Sequence, residues 1–88
     1  MVTATMDVKS TEFGWKLAKI SKHGYTNFEK EQDCTKAILF LRDNGIVLKG
    51  GKEFYIEADT KDYIIEPNKT NTKKIINLVQ KVYGIKPY

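Results

Sequence analysis

The sequence predicts an α+β domain built on one antiparallel sheet, and three observations predict it. Several short stretches alternate apolar and polar residues with the period of a strand. Two longer stretches repeat apolar residues with the period of a helix. Gly, Asn and Pro stand between them, where the chain must turn. The expected order is β-β-β-α-β-β-β-α, giving a single antiparallel sheet of five or six strands with two helices packed on one face. The 88 residues fit one domain, residues 1–88, with no linker or low-complexity tract inside it.

The elements follow in chain order. Val2, Ala4, Met6 and Val8 alternate with polar residues and read as a first strand. Residues 13–28 fit two readings. As a helix, Phe13, Leu17 and Ile20 share a face and Thr11 caps it, but Gly14 sits in the first turn and the stripe is thin. As a hairpin, Trp15–Ser21 pairs with Tyr25–Phe28 through a turn at Gly24, and this is the preferred reading. Cys34, Ala37, Ile38 and Leu41 then mark a helix over 31–43, with Glu31 and Asp33 in its first turn and Asn44-Gly45 at its end. Ile46-Val47-Leu48 reads as a strand before the Gly50-Gly51 turn. Glu53–Ala58 and Lys61–Glu66 read as a hairpin that Pro67 closes. Thr70-Asn71-Thr72 offers a cap, and Ile75, Leu78, Val79 and Val82 give a second helical stripe that Gly84 stops. The order suggests two βββα units.

Charge is unevenly spread within the net +4. Residues 1–28 carry four lysines against Asp7 and Glu12, and residues 29–66 carry six basic and nine acidic groups. Residues 67–88 carry five lysines and no acid. Lys69, Lys73, Lys74 and Lys81 thus form a candidate anion-facing surface around the last helix, with Lys16, Lys19 and Lys22 as further contributors. Lys73 and Lys74 stand in a first turn, where the helix dipole disfavours cations; an anion opposite them would remove the conflict. Arg42 is the single arginine, which argues against reading bases through guanidinium forks. The Lys, Ile and Asn content also fits an AT-rich genome, phage or plasmid.

Catalytic sets are not evident. His23 is the only histidine and reads as a turn residue; Cys34 is the only cysteine and reads as core. They are too few for a metal site, and no phosphate-binding glycine motif precedes a helix. Glu53, Glu57, Asp59, Asp62 and Glu66 crowd one hairpin and are expected on its solvated outer face. Tyr55 is flanked there by Glu53 and Glu57, which would repel phosphate. With one cysteine, no intramolecular disulfide forms, and the expected setting is cytoplasmic. The N-terminal stretch lacks the apolar run of a signal peptide, and no membrane span is expected.

Residues 31–84, read as helix–strand–strand–strand–helix, resemble in element order the double-stranded-RNA-binding domains and the HicA-type mRNA-cleaving toxins. The strand histidine that those toxins need has no counterpart in Gly50-Gly51-Lys52-Glu53-Phe54. The resemblance is one of order alone.

The expected function is therefore non-enzymatic and cofactor-free: a protein-binding module, such as a small phage or mobile-element protein that modulates or inhibits a host machine. The alternative is a sequence-independent nucleic-acid binder using the lysine-rich C-terminal helix.

Overall fold

Three helices, rather than two, accompany a sheet of three strands, rather than five or six. The structure, a computed structural model, describes residues 6–86. Along the chain run α1 (Thr11–His23), β1 (Thr26–Phe28), α2 (Glu31–Asp43), β2 (Phe54–Ile56), β3 (Tyr63–Ile65) and α3 (Lys69–Tyr83). The sheet order is β1-β3-β2, antiparallel throughout. The fold class remains α+β, but the two βββα units are not realised. No helix of the described residues is long and apolar enough to cross a membrane.

Three expected strands account for the difference. The first falls largely on residues 1–5, outside the described residues, and residues 6–8 are not in a strand. The second, Trp15–Ser21, lies inside α1. Ser10 rather than Thr11 caps that helix, its hydroxyl accepting from the Phe13 N–H, and Gly24 ends it in a left-handed conformation. The stripe looked thin because two members of the buried face, Gly14 and Ala18, are small. Gly14 is also a point of close approach between α1 and α3. A β-carbon there would lie 2.6 Å from Cγ of Tyr83.

The third missing strand is Ile46-Val47-Leu48. Its alternation is real, since Ile46 and Leu48 are buried and Val47 is exposed. Its backbone, however, finds partners outside any sheet ladder: the Ile46 N–H donates to the Leu41 carbonyl (2.9 Å). The Asn71 amide donates to the Val47 carbonyl (3.2 Å), and the neighbouring Lys49 N–H donates to Glu53 Oε2 (2.9 Å). The stretch therefore runs beside α3 as irregular chain, and the helix–three-strand–helix order is not realised.

The core lies between the helices and one sheet face. Phe13 of α1 packs against Phe28 of β1 and edge-on against Phe40 of α2, each at 6.2 Å between ring centroids. Phe40 in turn meets Tyr83 of α3 at 6.1 Å. Leu17, Leu41, Ile65, Ile75 and Val79 complete a buried interior. Residues 6–10 strap the helices from outside: the Met6 N–H donates to Asp33 Oδ1 (2.8 Å), and the Tyr83 hydroxyl donates to the Val8 carbonyl. Burial, helped by the Asp7 charge, pushes the Tyr83 phenol up to about 12, so it stays a donor.

Both outer edges of the small sheet meet something other than a strand. On β1, the Lys16 ammonium donates to the Asn27 carbonyl (3.1 Å) and lies 5.7 Å from the Phe28 ring centre. On β2, the Gly51 N–H donates to the Phe54 carbonyl (2.8 Å), and Gly51 holds φ at +82°, a value that glycine adopts without strain.

Candidate interaction surfaces

The face of the sheet turned away from the core carries a groove, and strand alternation builds it. Ile64 lies opposite Asn27 on β1 and opposite Tyr55 on β2. Side chains two residues away share the same face. Tyr25 therefore joins Asn27, Glu57 joins Tyr55, and Asp62 and Glu66 flank Ile64. These residues, with Thr60, line an open groove of about 400 Å³. Ile64 is buried at its floor.

The groove is aromatic and acidic, and no basic side chain of the described residues lines it. Two of its carboxylates are held in place. Glu66 accepts from the Tyr55 hydroxyl (2.7 Å), and Asp62 accepts from the Asn27 amide (3.1 Å). That bond to Glu66 comes first among the causes that raise the Tyr55 phenol above its ordinary value; desolvation and the charges of Glu66 and Glu57 add to it. Tyr25, 45% exposed, stands 6.2 Å from His23 between ring centroids.

Of the five acids expected on this outer face, Glu53 is elsewhere. It is only 5% exposed. Its carboxylate accepts from the Asn68 N–H (2.9 Å), the Asn71 amide (2.9 Å) and the Lys49 N–H (2.9 Å). Desolvation opposes its ionisation, but these bonds outweigh it and hold the carboxyl below its usual range. Asn68 is the N-cap of α3, displacing the expected cap at 70–72. Glu53 thus places a negative charge at the positive end of the helix whose N-terminal half carries Lys73 and Lys74. That helix begins at Lys69, so Lys73 and Lys74 stand past its first turn rather than in it, and the dipole conflict expected of them does not arise.

The lysines divide by position. Lys69, Lys73, Lys74 and Lys81 are all exposed on α3. Lys74 and Lys81 flank a shallow groove with Asn77 and the end of α2 at Asn44-Gly45; Lys69 and Lys73 do not line it. On α1, Lys19 and Lys22 are exposed, whereas Lys16 is half-buried and tied to β1. Trp15, 45% exposed, shares the outward sector with Lys19 and Lys22.

A third surface is apolar. Cys34 and Ile38 of α2 face Phe54, Ile56 and Tyr63 across a cleft, with Ile56 59% exposed. Burial first, and the Glu31 charge second, push the Cys34 thiol up to about 11, so it is a neutral core group at ordinary pH. Among the described residues no group of three or more His, Cys, Asp or Glu could hold a metal ion.

The groove escaped sequence reasoning because Tyr25 and Asn27 were assigned to a different hairpin. The alternation of Asp62, Ile64 and Glu66 was the available signal for one half of it. Compared with protein-family models, with curated proteins and with solved structures, the chain matches none.

Proposed function

We infer that the chain is a non-catalytic protein-binding module that docks through its open sheet face. The observation that carries this reading is the tyrosine-walled groove over Ile64. Tyrosines above a hydrophobic floor, with pre-oriented polar groups around them, are the composition of binding surfaces. Carboxylates around the groove disfavour nucleic acid there, because they repel phosphate. A role as modulator of a larger machine in a phage or mobile element fits a chain of this size and composition.

A second reading has one observation in its favour. Trp15 lies among Lys19 and Lys22, and an exposed aromatic amid cations can stack a base while lysines neutralise phosphates. The start of α3 at Lys69 weakens this reading, since Lys73 and Lys74 then stand past the first turn, where the helix dipole gives no reason for an external anion.

A photo-crosslinking residue placed at position 55, compared with one placed at position 73, tests the choice in cells that make the protein. The expected result is a discrete protein adduct from position 55. That adduct should be unchanged in a Lys73→Glu/Lys74→Glu/Lys81→Glu variant, because α3 lies outside the groove. Nucleic-acid adducts from position 73, with no protein adduct from position 55, overturn the reading.

A further inference from the structure

We propose that the sheet-face groove takes a cationic side chain, an arginine in preference to a lysine, from an exposed segment of the partner protein. The assignment rests on the protein-binding reading above and names the chemistry of that site. Charge complementarity is the first argument. Glu57, Asp62 and Glu66 converge on a groove with no basic lining residue, so the groove lacks a counter-cation of its own among its walls. The walls are the second. Tyr25 and Tyr55 supply aromatic walls of the kind that attract a cation, and Ile64 provides an apolar floor for the methylene stem of a long side chain. The third is pre-organisation. The Tyr55–Glu66 and Asn27–Asp62 bonds fix two carboxylates before anything binds, which lowers the cost of ordering them.

Arginine fits better than lysine on physical grounds. A guanidinium is planar, stacks on aromatic rings, and can donate to two carboxylates at once, whereas an ammonium is more strongly hydrated and acts as a point charge. A phosphate or acidic peptide would meet three like charges. The apolar cleft beside Ile56 has no comparable feature that selects an occupant.

The test uses the full chain and short extended peptides that are identical except for a central arginine, lysine, citrulline or glutamate. Chemical-shift mapping should place the arginine peptide on Tyr25, Tyr55 and Ile64. Its affinity should exceed that of the citrulline peptide by roughly tenfold at low salt, with lysine between them. Tyr55→Ala and Asp62→Asn/Glu66→Gln should each remove that preference, and Tyr55→Phe, which keeps the ring, should retain most of it. Equal affinity for arginine and citrulline peptides in a folded protein overturns the proposal, as does mapping of the arginine peptide to α1 or α3. Self-association that Glu66→Gln abolishes would assign the groove to a second copy and also overturn it. If position 55 crosslinks a protein whose binding is insensitive to Asp62→Asn/Glu66→Gln, the cation assignment fails while the protein-binding reading stands.

Discussion

Gly14 shows two opposed effects at a single residue. Glycine inside a helix costs about 1 kcal/mol relative to alanine, so Gly14→Ala should stabilise an isolated α1. In the folded chain the added carbon would lie 2.6 and 2.9 Å from two atoms of the Tyr83 ring and 3.0 Å from Ile85 Cδ1. Tyr83 is held by its bond to the Val8 carbonyl and by Phe40, so its ring cannot swing away freely. Overpacking of this kind costs roughly 1–3 kcal/mol. The clash should win, and Gly14→Ala should lower the melting temperature. Tyr83→Leu should reduce that penalty in a double-mutant cycle, and additive effects would show that the contact is not tight.

At the scale of elements, the start of α3 depends on a carboxylate that stands just before β2. Glu53→Gln keeps the shape but turns an acceptor into a donor facing an N–H or amide donor. The expected loss is on the order of 1–3 kcal/mol at neutral pH. The pH dependence has a definite sign. Because the folded carboxyl titrates below its unfolded value, its stabilisation is complete above the unfolded value and disappears as pH falls through the folded one. Denaturant curves for the wild type and Glu53→Gln should therefore converge on acidification; a constant gap would contradict the assignment. The same elements explain what was legible in sequence. The helices over 31–43 and 69–83 stood out because each carries a complete apolar stripe. The β2–β3 hairpin stood out through alternation and turn residues. By contrast, α1 was obscured because Gly14 and Ala18 bury a helix face without adding apolar bulk. Ile46–Leu48 misled because its backbone partners, the Leu41 carbonyl and the Asn71 amide, lie in helices and not in a strand. Half of the groove could be read from residues 55–66; the other half needed the knowledge that β1 pairs with β3.

Across the whole molecule, a three-stranded sheet has two edges for only three strands, and each edge is a row of backbone donors and acceptors. Lys16 takes the Asn27 carbonyl on one side, and Gly51 takes the Phe54 carbonyl on the other. The consequence concerns aggregation. A bare edge templates strand addition from other chains, and this one offers only short unblocked stretches on which a cross-β fibre could begin. Lys16 stands where a gatekeeper residue would, its ammonium on an outward carbonyl of the edge. Gly51→Val should dislodge the blocking loop, because a β-branched residue tolerates +82° poorly. Together with Lys16→Ala it should shorten the lag before thioflavin-positive fibres form under mild heating. An unchanged lag, with the fold intact by circular dichroism, would mean that the edges are protected by something other than these two contacts.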